Sequence, residues 1–176
     1  NHGIRPRYMI PNGVDPALFE LHDDIRNVDV LGAGSLIPLK RYGIFMEVVQ
    51  ALSLLFPELK AMICGKGEEA YLLESQIGAL RIVDHVSLAG EQPHKEVIRL
   101  MQRTKIFLHP SAYEGCSAAC LEALYAGAHV ISFCSPESRE LKHWHVVSSR
   151  EEMIATAAGL LKDPQRGHDP VMLYSM

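Results

Sequence analysis

The sequence predicts an α/β domain built on a doubly wound parallel sheet of about six strands, with helices on both faces. Short apolar runs that end in turn residues alternate with longer segments in which apolar residues recur at the helical period. Strict alternation means that a helix joins each strand to the next, and such crossovers are right-handed and make the strands parallel. A length of 176 residues, 48% of them apolar, suits one such Rossmann-like domain.

The first strand and helix show how each element is assigned. The run "VDVLGAG" (28–34) is a buried strand by its length and its closing glycines. In the segment 42–56, Ile44 and Val48 begin an apolar series at the helical period, and Pro57 ends the helix. The same reasoning predicts strands at 60–65, 85–90, 105–110, 128–133 and 145–148, and helices at 68–80, 94–104, 117–127 and 149–163.

Three regions follow from this assignment. Residues 1–27 are expected to be an interdomain connection that leads into the domain, because turn residues follow a strand-like tip in "YMIPNGVDPALF". Residues 28–163 form the predicted domain, and the Pro/Gly-interrupted segment 164–176 is expected to be a loosely held tail. At the start of the last helix, Ser149 and Glu152 have the spacing of a capping box.

Composition excludes several classes of function. A net charge of −4 provides no basic surface for nucleic acid, and no apolar run is long enough to span a membrane. The chain opens on polar residues without an initiator Met, which indicates no signal peptide and leaves a fragment of a longer protein open. Four cysteines without a C-x-x-C pair favour a reduced, cytoplasmic compartment. Cys116 and Cys120 are expected to pack rather than bind metal, and the nine histidines to lie mostly at the surface or in loops.

Ligands on such sheets bind at the carboxyl ends of the strands, so the turns that follow strands are where chemistry is expected. In the first turn, "GAGSLIPLKRYG" (32–43), Gly34 allows the backbone to approach a ligand, and Ser35 follows it. Lys40, where a helix begins, is typical of a phosphate partner. The third glycine of a dinucleotide fingerprint is absent, which disfavours a nicotinamide or flavin cofactor.

The next two turns are less suited to binding a phosphate. In "CGKGEE" (64–69) the acidic residues would repel a phosphate, so a structural turn or a wall of the pocket is favoured over a direct phosphate site. Gly90, in the third turn, lets the backbone come close and could line a slot for a nucleobase.

The fourth turn, "HPSAYEGCSAACLEALYAGAHVI" (109–131), carries two carboxylates. Small residues from Ser117 and Ala118 onward leave the first N–H groups of a helix approachable by a diphosphate. Glu122 lies about 7.5 Å further along the helix axis, where a carboxylate could accept hydrogen bonds from ribose hydroxyls. Glu114, before the helix, could accept hydrogen bonds from a second sugar. For either carboxylate alone, a solvent-exposed role or a role at the helix dipole is also open.

These segments resemble those of the GT-B glycosyltransferases of the group 1 (GT4) type. "HPSAYEG…LEALYAGAHVI" is similar to that family's "PS…EG…LEAMA.G.PVI" signature, with Glu114 and Glu122 on its E-x7-E pair. "GAGSLIPLKRYG" resembles its "GRL.p.KG" turn, and the resemblance extends over residues 8–163.

The resemblance implies one half of a GT-B fold, the carboxyl-terminal domain that binds a UDP-, GDP- or ADP-linked sugar. It implies that Lys40 binds the diphosphate, and that the backbone after Glu114, at Gly115 and Cys116, helps to bind the phosphates. It further implies that Glu122 holds the ribose, and that Glu114 is the catalytic residue that contacts the transferred sugar near its reacting carbon. The implied reaction is retaining glycosyl transfer that requires no metal and no other cofactor.

Three departures from the family pattern alter these expectations. Ser35 stands where the family often has Arg, so diphosphate binding should weaken or shift to Arg41. "SFCSPESREL" (132–141) replaces the usual Gly-Gly pair on the sugar side. The amino-terminal acceptor domain is absent, so this chain alone should be inactive, and any peripheral contact with the inner membrane face would run through that missing partner. The resemblance to this family also suggests polysaccharide biosynthesis or lipid glycosylation, with a glycan or lipid-linked glycan as acceptor.

Two other functions stay open. One is half of a nucleotide-sugar epimerase of the related two-domain fold, for which His109 is the one candidate base. The other is a non-catalytic nucleotide-binding module of flavodoxin-like shape.

Overall fold

The computed structural model describes residues 12–19, 25–114, 117–134, 140–163 and 166–174. Within these ranges all strand pairs of one six-stranded sheet are parallel, in the order β3-β2-β1-β4-β5-β6. The strands are β1 Val28–Ala33, β2 Ala61–Cys64, β3 Val86–Gly90, β4 Thr104–His109, β5 His129–Ser132 and β6 Trp144–Val146. The predicted doubly wound sheet is confirmed. Its direction of winding reverses between β1 and β4, and this switch point is where ligands bind such sheets.

Helices cover both faces of the sheet, as predicted. They are α1 Tyr42–Ser53, α2 Ala70–Ala79, α3 His94–Gln102, α4 Ala118–Tyr125 and α5 Arg150–Lys162. One buried core joins α1, α2 and α5 to the sheet through residues such as Phe45 and Met153. A second core joins α3 and α4 to the other face through residues such as Ile98 and Leu121.

The ends of α1 and α5 show how the helices differ in detail from the predictions. Helix α1 ends at Ser53, before the predicted 56, and leaves Leu54 exposed. At α5, Ser149 Oγ accepts a hydrogen bond from the backbone N–H of Glu152 at 3.1 Å. The Glu152 carboxylate accepts from the backbone N–H of Ser148 at 2.8 Å, so the reciprocal bond of the capping box is displaced by one residue.

The end of the chain is held more firmly than expected. Within 166–174, the backbone N–H of Val171 donates to Leu124 O at 3.2 Å, and Tyr174 O accepts from the backbone N–H of Val14 at 2.9 Å. The expectation of a loose tail is therefore wrong for these residues, because apolar side chains at positions 171, 173 and 174 pack against the core beside α3 and α4. The boundaries proposed for the three regions stay predictions.

Four histidines that are distant along the chain form a cluster that the sequence did not predict. His129 is buried at the start of β5, and its Nδ1 lies 3.2 Å from Nε2 of His145. The rings of His143 and His168 lie 4.4 and 5.2 Å from the His129 ring. Burial lowers the pKa of His129 to about 3, and burial also lowers the pKa of the other three. The expectation that histidines lie mostly at the surface or in loops holds for His143 and His168, which lie outside the strands and helices. It is wrong for His129 and His145, which lie in the paired strands β5 and β6.

No grouping of metal-ligating side chains suited to an ion occurs in the part of the chain that the structure describes. Cys120 is buried, as expected for a packing residue, and Cys64 is buried too. Cys116 lies outside the described residues. Among the helices of the described ranges, none combines the length and the apolar character that crossing a bilayer requires.

Candidate functional site

The first two turns at the carboxyl edge pack backbone against backbone. The N–H of Gly34 donates to Cys64 O at 3.0 Å, and the N–H of Leu36 donates to Lys66 O at 2.9 Å. A Cβ on Gly65 would lie only 1.9 Å from Gly34 O. Glycine is therefore required there by close approach, and the second turn has the structural role that its sequence favoured. It supports the backbone of the first turn from one side.

The fourth turn is joined to the first turn from the other side. Leu39 lies in the short helical turn Pro38–Lys40, and its carbonyl accepts from the backbone N–H of Ala112 at 2.9 Å and from Ser111 Oγ at 3.2 Å. These bonds follow from the adjacency of β1 and β4. They bring the loop that carries Glu114 next to Lys40.

Lys40 and Glu114 form an ion pair in which Nζ donates to Oε1. The same Oε1 lies 3.1 Å from Nε2 of His109, which is buried at the end of β4. Burial tends to raise the pKa of Glu114, but the hydrogen bond and charge of Lys40, together with His109, outweigh burial and lower it. Glu114 is therefore ionised at neutral pH.

His109 is neutral in this arrangement. Burial lowers its pKa first, and the charge of Lys40 lowers it further, against the opposing effect of Glu114. A carboxylate can only accept, so Nε2 of His109 carries the hydrogen and donates it to Glu114. His109 is therefore buried and hydrogen-bonded to Glu114, which makes it a poor candidate for a base that abstracts a proton.

Helix α4 begins at the expected place, but its first amides are not all bare. Ser117 is the N-cap, and its Oγ accepts from the backbone N–H of Cys120 at 3.4 Å. Among the described residues, no acceptor is found for the N–H groups of Ala118 and Ala119. Gly115 and Cys116, expected to contribute backbone to the phosphate cradle, lie outside the described residues.

Glu122 projects from α4 with 16% of its side chain exposed, and its Oε1 lies 2.8 Å from Nε2 of His94. His94 is the first residue of α3, which follows β3 at the same edge of the sheet. His94 is not among the site residues predicted from the sequence. The available signal was its place at the start of a predicted helix, four residues after Gly90.

The remaining predicted residues lie around this centre without converging on one point. Gly90 has a φ of +68°, and a Cβ there would meet nothing within 4 Å, so open space adjoins its backbone. Ser35 is exposed beside Gly34. Arg41 adopts the left-handed conformation at φ 54°, and its guanidinium carbon lies 5.2 Å from the ring centre of Phe133, beyond the end of β5.

Beneath the first turn lies a buried hydroxyl that sequence reasoning had no cause to single out. Tyr42 packs against Gly32, and no partner for its Oη is present in the described part of the chain. Burial raises the pKa of Tyr42, and the nearby Cys120, Cys64 and Glu114 raise it further. Tyr42 is therefore a neutral phenol beside the residues that position Lys40.

The arrangement combines a cation, a helix N-terminus and two carboxylates along one edge. Lys40 and the α4 amides offer positive charge for a phosphate, and Glu114 and Glu122 offer acceptors for hydroxyl groups. Across a neighbouring part of the edge, Lys66 and Glu91 form an exposed ion pair of 2.6 Å.

Comparison with known proteins gives a family match over most of the chain. The family model described as glycosyl transferases group 1 matches residues 25–166. A human protein, one of the subunits of phosphatidylinositol N-acetylglucosaminyltransferase, is 31% identical over 129 residues, which cover 70% of this chain and 26% of that protein. This chain thus spans about a quarter of that relative's length.

Two solved structures share the fold. A point mutant of S. aureus TarM, in complex with Fondaparinux, alpha-GlcNAc-glycerol and UDP, superimposes with a TM-score of 0.80 at 18% identity, over 92% of this chain and 34% of that one. The pneumococcal O-GlcNAc transferase GtfA, in complex with UDP and GlcNAc, gives a TM-score of 0.75 at 19% identity, over 87% of this chain and 32% of that one.

Proposed function

Because this chain belongs to the group 1 glycosyl transferases, we propose that it is the part of such an enzyme that binds a nucleotide-diphospho-sugar. The whole protein would transfer the sugar to an acceptor with retention of anomeric configuration. The observation that carries the proposal is the ion pair between Lys40 and Glu114 beside the N-terminus of α4. A cation that would bind the diphosphate is therefore next to a carboxylate that would contact the sugar.

The ligand would extend along the edge in three parts. The diphosphate would lie between Lys40 and the first amides of α4, where both the ammonium and the helix dipole favour negative charge. The ribose would reach Glu122, about 7.5 Å further along α4, and its hydroxyls would donate to the carboxylate. The nucleobase would occupy the open space beside Gly90.

Transfer would rely on charge rather than on a metal. As the bond to the sugar breaks, negative charge grows on the leaving diphosphate, and Lys40 and the helix N–H groups would stabilise it. Glu114 would lie near the reacting carbon, where an ionised carboxylate would stabilise the positive charge that develops on the sugar. The lowered pKa of Glu114 supports this role, because it keeps the carboxylate charged at neutral pH.

We further propose UDP-N-acetylglucosamine as the donor. The names of the human relative and of the pneumococcal neighbour both specify N-acetylglucosamine or GlcNAc, and the two structural neighbours were crystallised with UDP. The acceptor would be a glycan or lipid-linked glycan. It would be bound by an amino-terminal domain outside this chain, and the chain alone would therefore catalyse no transfer.

The alternative functions have less support. An epimerase half would need a base, and His109 is buried and donates to Glu114 instead. A non-catalytic module would not need a carboxylate beside Lys40.

Calorimetry on the 176-residue chain tests the proposal. We expect UDP to bind more tightly than GDP, ADP or NAD, and UDP-N-acetylglucosamine to bind at least as tightly as UDP-glucose. Absence of nucleotide binding at millimolar concentration would contradict the proposal and favour the non-catalytic alternative. Turnover by the full-length protein distinguishes transfer from epimerisation.

A further inference from the structure

We propose that His94 is a positioning residue for ribose recognition, which acts by orienting the carboxylate of Glu122. The inference rests on the proposed function and adds to it His94, which is not among the predicted site residues. Its basis is the contact of 2.8 Å between Nε2 of His94 and Oε1 of Glu122.

The two side chains have unequal surroundings. Glu122 is largely enclosed, with 16% of its side chain exposed, whereas 55% of the His94 side chain is exposed. Among the described residues, His94 is the one side chain bonded to the Glu122 carboxylate. Without it, the carboxylate could rotate about its terminal bond, because no second contact within the described residues fixes its plane.

The contact leaves the carboxylate able to bind a ligand. Since a carboxylate only accepts, Nε2 of His94 carries the donated hydrogen. One bond to Oε1 leaves Oε2 and a further lone pair available for hydroxyl groups. If the carboxylate is already fixed before the ligand binds, the entropic cost of binding is smaller.

The location of His94 also suits this role. It is the first residue of α3, four residues after Gly90, and its ring contacts Glu122 on the neighbouring helix α4. A half-exposed pair of this kind contributes little to stability. Its removal should therefore change ligand binding more than folding.

The test compares UDP with 2′-deoxyuridine diphosphate on the wild-type chain and on variants. For His94→Ala we expect UDP affinity to fall about five- to tenfold, the effect of one hydrogen bond to a charged group. The 2′-deoxy ligand should lose at most about twofold, because one of the hydroxyl bonds that need an oriented carboxylate is already missing.

Rescue separates positioning from packing. In His94→Gln the amide nitrogen can replace Nε2 as donor, and we expect most of the UDP affinity to return. Combining His94→Ala with Glu122→Gln should cause little loss beyond that of Glu122→Gln alone. His85→Ala is the matched control, since His85 lies just before β3 at the opposite end of that strand and should leave both affinities unchanged.

Several outcomes would overturn the inference. They are an unchanged or tighter affinity of His94→Ala for UDP, equal losses for the two ligands, or a His94→Gln variant as weak as His94→Ala. If the wild-type chain binds UDP with a preference over the deoxy ligand and the variants behave in one of these ways, His94 is not a positioning residue and the proposed function stands. If the wild-type chain binds no UDP, the proposed function fails and this inference fails with it.

Discussion

The Lys40 ammonium donates to the Glu114 carboxylate, so two residues assigned to different parts of one ligand are bound to each other. Both side chains are about four-fifths buried, at 19% and 20% exposed. A diphosphate would have to replace Glu114 as the partner of Lys40, and Glu114 would then be available to the sugar. In the proposed function, binding of the donor would therefore be an exchange of partners, and His109 would retain its bond to Glu114.

Replacing Lys40 tests the phosphate role directly. We expect Lys40→Ala to weaken UDP binding about tenfold or more, because a charge-assisted bond to phosphate is lost, and to change uridine binding by less than about twofold. Lys66→Ala is the matched control, since Lys66 is also paired with a glutamate at this edge but is exposed. Calorimetry with UDP and uridine measures both. Equal weakening of the two ligands would show that Lys40 has no phosphate role.

Removing the charge of Glu114 should have the opposite effect on nucleotide binding. Glu114→Gln frees Lys40 from its partner, and we expect UDP to bind about two- to fivefold more tightly. The full-length protein should at the same time lose nearly all transfer activity. Glu91→Gln, which changes the other ion pair at this edge, should alter neither property. A weaker affinity of Glu114→Gln for UDP would mean that the carboxylate does not compete for Lys40.

The proposed ribose role of Glu122 is tested by comparing two ligands that differ only in the 2′-hydroxyl group. Glu122→Gln should weaken UDP about tenfold more than 2′-deoxyuridine diphosphate, because an amide is a poorer acceptor from two hydroxyls than a carboxylate. Glu74→Gln, on the exposed face of α2, serves as the control. Titrations with the two nucleotides give the ratio. Equal losses would remove the ribose assignment.

The strands and helices could be predicted because their signals are local. Runs such as 28–34 and 85–90 end in turn residues, and they became β1 and β3 to within about one residue at each end. The ends of helices were predicted less accurately, as at Ser53, because a helical sequence pattern can continue through residues that do not pack against the core. Sheet order could be predicted only as a class, since the sequence does not state which strands are neighbours.

Site contacts were harder to predict, because they join elements that are distant along the chain. The pairing of Lys40 with Glu114 depends on β1 and β4 being adjacent, and the contact of His94 with Glu122 depends on α3 packing beside α4. Residue type and turn position identified three of these four side chains. Only the tertiary arrangement shows which of these side chains are partners. Tyr42 gave no signal, since its position within an apolar helix is typical of a core residue.

The close packing of the first two turns predicts an intolerance of side chains at Gly65. Gly65→Ala would place a Cβ 1.9 Å from Gly34 O, at a φ of +151° that side chains rarely adopt. We expect a loss of about 2–4 kcal/mol, or about 5–10 °C in melting temperature, together with weaker UDP binding as the first turn shifts. Gly78→Ala is the control: nothing lies within 4 Å there, and alanine in a helix should stabilise it slightly. Equal melting temperatures for the two variants would contradict the contact.

The histidine cluster predicts a loss of stability in acid. His129 has an ordinary pKa of 6.5, which burial first, and then the neighbouring histidines, lower to about 3 in the folded chain. Between these two values the unfolded chain binds more protons than the folded chain, so the free energy of unfolding falls as pH falls from about 6.5 toward about 3. Charged groups near the cluster are Arg26, Lys105, Lys142, Arg166 and Asp169.

Denaturant unfolding at pH 7 and pH 5 measures this dependence. We expect the wild-type chain to be clearly less stable at pH 5, and His129→Leu to show a smaller difference between the two pH values, because the buried histidine that stays neutral in the folded chain is gone. Hydrogen exchange should show residues 166–174 opening first in acid, since His129 Nε2 lies 3.2 Å from Gly167 O and His168 Nδ1 lies 2.9 Å from Gly127 O. His85→Leu, outside the cluster, should retain the wild-type difference. An identical acid response in His129→Leu and wild type would show that His129 does not govern it.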